Sequence, residues 1–558
     1  MYGQSQSGIF KGMNPKVTVV SMLIMVSALI MGTIYTEASS TAIQMLRVKL
    51  NPFLEWYYVA LVAFLLFFMI WLGVGRYKNV RLGNDYERPE FTFFSWVAML
   101  FAAGTGVGIL FWAVAQPILQ FQDNPFIADG MSPEAATMAM RLTFFHWGLN
   151  GWAIFAFVAL TMAYFSFRHN LPLTVRSALY PILGERVRGP LGDAVDVLAV
   201  FGTVFGIATT LGLGVRQMNS GLEYVFGITA SLQLQLAVTA IIMFVAIFSV
   251  VSGVRRGVRL LSEANFWLSV AVVVFLMVFG PTQYLVGLMI ESTGDYLQTI
   301  LAMTFHTNVT RGDAWQAEWT VFFWGWWIAW SPFVGMFIAR ISRGRTFREF
   351  IAGVLVAPTV ITIIWIGLFG GTALHHEQFG VGGIVDAVSH DVSSALFVTI
   401  EAMSLGYFTS VASGALVVLI CTYLITSANA GTLVINTILS GGDADPPTAH
   451  RILWGVVLGL LTGVMLIAGG LETLQSTVIA AALPFSLVMI IMILGLHKAL
   501  SEERYAARKG YRTEAPREPW IDVEPVAHDE TWRRTGSRTG RKRKKAYSET
   551  ASVDSKNK

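Results

Sequence analysis

A chain of 558 residues that is 54% hydrophobic and only 13% charged is too apolar for an ordinary soluble protein, in which about a quarter of residues carry charge. Its formal net charge of +4 is modest and comes largely from loops and the carboxyl-terminal stretch, which suits membrane topology and argues against nucleic-acid binding. A single cysteine, Cys421, excludes an intramolecular disulfide.

After a short polar start, residues 1–16, the first apolar run is Val17–Tyr35. It is long enough to span a bilayer and lacks a small-residue cleavage site, so it reads as a retained helix. Eleven further spans follow in chain order: Leu54–Val74, Phe93–Pro117, Met138–Phe165, Ala194–Leu213, Leu232–Val251, Leu260–Leu285, Trp319–Ala339, Ile351–Ala373, Tyr407–Leu439, Ile452–Ala468 and Thr473–Leu496. The expected fold class is an all-α membrane protein with twelve transmembrane helices. The divisions are two leading helices over 17–92, five over 93–317, five over 318–500, and a tail over 501–558.

With the amino terminus inside, Arg76, Lys78 and Arg81, then Arg168, Arg176, Arg186 and Arg188, then Arg255, Arg256 and Arg259 all fall on the cytoplasmic side. Asp123, Asp129, Glu134, Glu291, Asp295 and Glu377 fall outside. Both termini are therefore expected in the cytoplasm, with the chain in the inner membrane. Outside connections 286–318 and 374–405 have apolar residues at helical spacing and are expected along the membrane surface. The tail, with its basic run Arg533–Lys545, is expected to be solvated, or else drawn to anionic lipid at about 1 kcal/mol per basic residue.

Four spans carry the chemistry. In the third, Gly104, Gly106 and Gly108 alternate within an apolar helix, each removing a side chain that keeps backbone at a distance. Close helix packing is one reading. The other is a broken helix at a binding site, because the third and eighth spans each open a group of five. The fourth span places Trp147, Trp152 and Phe155 within about 140° of one another, with His146 read as a packing residue. The eighth sets Trp326, Trp330, Trp327 and Trp324 around an arc of about 160°. Pro332, which lacks an N–H, is expected to loosen the helix beside them. The tenth offers Thr426 and Ser427, hydroxyls that either bond back to their own backbone or serve as hard ligands for a small cation.

An aromatic pocket without a central carboxylate suits a quaternary ammonium head, held by ring faces at about 0.5–2 kcal/mol each. Uphill uptake needs a driver, and an inward-moving cation gains about 2.3 kcal/mol per 100 mV. No span shows metal-ligand spacing or a placed nucleophile and base, so no enzyme is expected; His375 and His376 read as surface residues.

The block WTVFFWGWWIAWSPFVGMFIARISRGRTFREF, Trp319–Phe350, resembles the signature of the betaine/carnitine/choline transporter family. FAAGTGVGILFW, FHWGLNGWAIF and TSANAG add to the likeness, which covers about residues 15–500. The resemblance implies a LeuT-type inverted repeat of five plus five helices preceded by two, a homotrimer, and alternating access. It implies an aromatic box of Trp147, Trp152, Phe155 and Trp327, with Trp324, Trp326, Trp330 and Phe337 along the path and Gly104, Gly106 and Gly108 beside it. Sodium, the coupling ion and the one implied cofactor, would be held by carbonyls of Ala102, Thr105 and Tyr423 and hydroxyls of Thr426 and Ser427.

Departures from the family pattern narrow the substrate. Phe155 stands where betaine carriers have a tyrosine, and Thr105 replaces a common methionine or isoleucine. Gly108 stands where choline carriers tend to have aspartate, which favours a zwitterion over a net cation. Asn265 lies near the arginine position of sodium-independent carnitine exchangers and carries no charge. Thr203 and Phe333 match a second sodium site but Ile207 does not, so two ions are not implied. The expectation is a sodium-coupled symporter for a zwitterionic quaternary ammonium compound, glycine betaine first. The alternatives are sodium-free exchange of carnitine-like compounds, choline or sulfonium transport (dimethylsulfoniopropionate), and a non-transporting osmosensor.

Overall fold

The computed structural model describes residues 3–508 apart from 105, 252–254, 311, 313 and 444. Its helices are α1 (Pro15–Ile34), α2 (Thr36–Val74), α3 (Phe93–Gly104), α4 (Gly106–Gln122), α5 (Pro133–Trp147), α6 (Leu149–Ala163), α7 (Tyr180–Leu183), α8 (Pro190–Phe226) and α9 (Leu232–Val251). They continue as α10 (Arg255–Phe279), α11 (Thr282–Thr304), α12 (Val321–Arg340), α13 (Phe347–Phe379), α14 (Ile384–His390), α15 (Ala395–Ala402), α16 (Tyr407–Leu439), α17 (Thr448–Ile467) and α18 (Gly470–Arg508). The protein is all-helical over the described residues, where extended pairing is limited to two isolated bridges.

Among the described residues, ten helical stretches are long and apolar enough to cross a membrane, or eleven if the pair meeting at 109° around Gly280 and Pro281 counts as one. Residue 105, inside the third predicted span, lies outside the described residues, which form α3 and α4 on either side of it. The seventh ends at Phe279 rather than Leu285, because Pro281 cannot donate into the ladder. The chain then turns into α11, in the first of the two connections expected to be helical.

Three other boundaries differ from the sequence reading. The fourth span is interrupted at Gly148, whose ψ of −143° lies outside the helical range. The freed Leu149 N–H donates to Tyr296 Oη of α11 at 3.0 Å. At the amino end, α2 starts at Thr36, not Leu54, and its 39 residues extend well beyond the thickness of a bilayer. At the other end, α18 runs on to Arg508 where a polar tail was expected from 501. Glu503 there accepts from Tyr164 Oη at 2.7 Å and Arg168 Nε at 2.8 Å, and this partner on the bundle keeps the last turns helical. The basic run Arg533–Lys545 lies outside the described residues.

Helix α12 lies at the centre, packed against α6, α8 and α18, and is buried on nearly every side. An apolar helix buried all round is what a central membrane helix requires. It does not break at Pro332. The carbonyl that proline leaves unpaired, Ile328 O, accepts from Ser331 Oγ at 2.8 Å, so the helix closes over the defect.

The ends of the bundle are pinned by buried polar groups. The loop before α3 pairs with the loop after α12, through Leu82 N to Arg345 O at 2.9 Å and Phe347 N to Val80 O at 2.8 Å. The Arg345 guanidinium sits 4.1 Å from the Trp96 ring centroid. Nearby in the chain, Arg176 donates to Asp196 at 2.6 Å and Asp193 at 2.8 Å, with Arg176 and Asp196 each 1% exposed. Asn14 also donates to Asp193, at 2.9 Å, and its own N–H bonds Leu439 O, so the amino-terminal strap is tied to α8 and α16. Arg176→Met should leave Asp196 buried without its countercharge and lower stability by about 3–5 kcal/mol. The check is the thermal unfolding midpoint of the purified protein in detergent, with Arg188→Met at the exposed end of the same segment as the neutral comparison.

Candidate functional site

The site is built where the glycine run of α3 and α4 meets α12. Gly106 opens α4 with φ of +22°, a backbone that a residue with a Cβ rarely adopts. Two residues on, a Cβ at Gly108 would stand 2.7 Å from Trp326 Cη2, 3.1 Å from its Cζ2 and 3.7 Å from Trp147 Cη2. A Cβ at Gly106 would lie 3.7 Å from Ser427 Oγ and 3.8 Å from Trp330 Cη2. The α4 backbone therefore touches the indoles directly, and it does so beside the tenth predicted span.

Around that contact the rings form walls. Trp147 meets Trp327 at 4.9 Å between centroids and 74° between planes, and Trp326 at 6.2 Å and 83°. Phe155 stands edge-on to Trp327 at 5.7 Å and to Trp330 at 5.9 Å, and Trp152 joins through Phe155 at 5.6 Å. Trp326 and Trp327 lie near-parallel at 4.8 Å, and Trp330 stacks on Phe333 at 5.8 Å. All of these rings are buried.

Two of the predicted residues stand apart. Trp324 faces Phe145 at 5.3 Å and the His146 ring at 5.7 Å, so it packs α12 on α5 rather than lining the box. It sits at the edge of the helical arc, about 60° beyond Trp327, and that angle is enough to turn it onto another neighbour. Phe337 lies one turn past Phe333, half-buried near the end of α12.

Hydrogen bonds sort the indoles into two kinds. Trp147 Nε1 donates to Gln116 Oε1 at 3.1 Å, and Trp327 Nε1 donates to His146 O at 3.0 Å. Trp326 Nε1 and Trp330 Nε1 are buried with no acceptor among the described residues. A buried donor without an acceptor costs about 1–3 kcal/mol. These two N–H groups suit a ligand that brings an acceptor. The sequence reading did not single out Gln116, although a glutamine inside so apolar a helix is a signal in itself.

Of the residues expected to hold sodium, Ser427 lies beside Gly106. The described backbone of α3 runs to Gly104, and that of α4 takes up at Gly106. On α16, Thr426 Oγ1 donates to Tyr423 O and Thr422 O, both at 3.0 Å, and accepts from Asn265 Nδ2 at 3.4 Å. The hydroxyl is bonded back to its own backbone, the first of its two readings, with its oxygen beside the Tyr423 carbonyl. Thr105 falls outside the described residues. The remaining donors are neutral oxygens, which fit a small hard cation.

A cavity of about 540 Å³ opens beyond the box, lined in part by Arg47, Trp112, Glu318, Trp319 and Glu472. Its aromatic floor is continuous with the box, through Trp112 to Phe323 at 5.7 Å and Phe323 to Trp147 at 5.7 Å.

Comparison with known proteins gives a consistent picture. Residues 16–505 match the model of the betaine/carnitine/choline family of transporters. The chain is 40% identical over 500 residues to a glycine betaine transporter of Acinetobacter baylyi, covering 88% of this chain and 74% of that one. It is 39% identical over 504 residues to the glycine betaine transporter OpuD of Bacillus subtilis, covering 90% and 97%. It is 41% identical over 469 residues to the high-affinity choline transport protein of Escherichia coli, covering 83% and 68%.

Gly108→Ala would push its methyl against Trp326 and Trp147. It should raise the dissociation constant for the solute at least about tenfold, or 1.4 kcal/mol. Titration of tryptophan fluorescence in the purified protein measures this, and an affinity equal to wild type would mean that the glycine contact is packing alone.

Proposed function

The chain belongs to the betaine/carnitine/choline family, a family of transporters rather than enzymes, and on that premise we propose that it is a sodium-coupled symporter for a zwitterionic quaternary ammonium compound, glycine betaine foremost. Relatives named for betaine and for choline make a small quaternary ammonium solute the shared cargo. The finer choice between them is our own reading.

One observation carries that choice. The box offers ring faces to a methylated head and two buried N–H donors, Trp326 Nε1 and Trp330 Nε1, that lack acceptors among the described residues. Both betaine and choline satisfy the faces. A carboxylate accepts from such donors in a charge-assisted bond of about 1.5–3 kcal/mol, whereas a hydroxyl is the weaker acceptor. The Cζ2 edge of Trp326, the side of the ring that carries Nε1, faces Gly108, where an aspartate would repel a carboxylate.

For the ion, the support is a cluster of neutral oxygens beside the glycine run, with Ser427 Oγ 3.7 Å from the Cβ position of Gly106 and Thr426 Oγ1 next to the Tyr423 carbonyl. Asn265 beside them is neutral, so no fixed charge stands in for a cation. We further infer, from family resemblance, a homotrimer with a LeuT-type repeat in the inner membrane, with both termini cytoplasmic.

Trp330→Phe and Trp326→Phe keep a ring face while removing the N–H. Each should weaken betaine binding by about 10- to 100-fold and choline binding by no more than about threefold. Equal losses for the two solutes would assign the indoles to head-group contact only. In proteoliposomes, betaine should accumulate only under an inward sodium gradient. Thr426→Ala with Ser427→Ala should raise the sodium needed for half-maximal uptake far more than the betaine dissociation constant in sodium-free buffer. Accumulation indifferent to sodium would reject coupling and leave exchange.

A further inference from the structure

The box indoles are held from behind by a buried chain of polar side chains whose direction is fixed. Trp147 Nε1 can only donate, so the Gln116 atom facing it at 3.1 Å is Oε1. Gln116 Nε2 then faces His146 Nδ1 at 2.8 Å and must donate to it. That leaves the imidazole proton on Nε2, which donates to Thr320 Oγ1 at 3.0 Å. Gln116 and His146 are both 0% exposed, and Thr320 closes the π-helical turn Gln316–Thr320 that leads into α12.

His146 grips α12 at three successive levels. Its ring bonds Thr320, lies near-parallel to Phe323 at 4.8 Å, and its carbonyl accepts from Trp327 Nε1 at 3.0 Å. The same two residues thus touch both rings of the perpendicular pair Trp147 and Trp327. Should Gln116 lose its polar end, Trp147 would keep a buried donor with no acceptor, and the nearest relief is to rotate the indole out of its 74° angle to Trp327.

We propose that Gln116 and His146 are positioning residues that set the angle between Trp147 and Trp327, and through it the fit of the onium head. This rests on the reading of the box as the substrate site. A merely structural role would lower stability and leave the remaining folded protein with normal affinity. A positioning role changes affinity through Trp147 in particular.

The test is a double-mutant cycle in the purified full-length chain, with betaine as probe. Gln116→Met should raise the dissociation constant about tenfold, with maximal uptake rate in proteoliposomes held within about twofold. In a Trp147→Phe background, where no indole N–H needs an acceptor, the further effect of Gln116→Met should fall to about twofold or less. His146→Phe should behave like Gln116→Met, and His146→Gln, which can accept at one end and donate at the other, should recover most of the loss. Equal effects of Gln116→Met in the two backgrounds, or an unrescued His146→Gln, would overturn the proposal. A readout without solute separates this from the identity of the cargo. In protein labelled with 5-fluorotryptophan, the ¹⁹F resonance assigned by Trp147→Phe should shift in Gln116→Met and return in His146→Gln relative to His146→Phe. If betaine fails to bind wild type, the cargo assignment falls and this resonance alone decides the positioning role, an unmoved line overturning it. If Gln116→Met does not fold, Thr320→Val, which removes only the far end of the chain, should shift the same resonance, and no shift would overturn it.

Discussion

The close approach of the α4 backbone to the indole edges of α12 is the constraint on which the site depends. At Gly108 no side chain fits between the two elements, and at Gly106 the backbone takes a positive φ as α4 begins. Helices in a bilayer gain little from hiding apolar surface from one another, so association relies on close packing and on polar groups that find partners. The glycines supply the first of these. On the opposite flank Gly206 of α8 lies against Trp330 Cα, where a Cβ would come within 3.2 Å. Helix α12 is therefore gripped on two sides at the level of its tryptophans.

The second requirement, polar satisfaction, governs the details. The Ile328 carbonyl released by Pro332 is taken by Ser331, the Leu149 N–H released at Gly148 is taken by Tyr296, and the indole of Trp147 is taken by Gln116. Trp326 Nε1 and Trp330 Nε1 have no acceptor among the described residues, and unlike Trp112 Nε1, which shares that condition, they belong to rings of the box. The physical cost of leaving Trp326 and Trp330 unpaired is what points to a solute with an acceptor. It also gives the site a preference between solutes that share a head group, something that ring faces alone cannot supply.

The polar ties also define which elements form a unit. Gln116 and Gln120, one turn apart on α4, reach Trp147 and Trp315 respectively, so α4, the end of α5 and the entry to α12 are bonded together. At the other end of the molecule, the paired loops around Leu82 and Arg345 link the approach to α3 with the exit from α12. Arg176 with Asp193 and Asp196, and Glu503 with Arg168, fasten the strap and the last helix to the ends of other helices. The box is in this way surrounded by fixed points.

By itself the sequence determined the class of the protein, the positions of most helices, the aromatic character of the site and the family signature. These are local properties: apolar length measures a span, and helical periodicity gathers Trp326, Trp327 and Trp330 on one face whatever lies opposite. The tertiary structure decided what depends on neighbours. Periodicity placed Trp324 on the same arc, but only the position of α5 shows that it faces Phe145 and His146. Pro332 announces a missing hydrogen bond, yet whether a helix breaks there depends on whether Ser331 can reach Ile328 O. Gly148 carries no mark that distinguishes it from other glycines until Tyr296 arrives from α11 to accept the freed N–H. His146 read alone is a packing residue, and its bonds to Gln116 and Thr320 join positions 30 and 174 residues away. A side chain's direction from its own helix axis is set by the residues beside it, whereas the group it meets is set by how the helices pack.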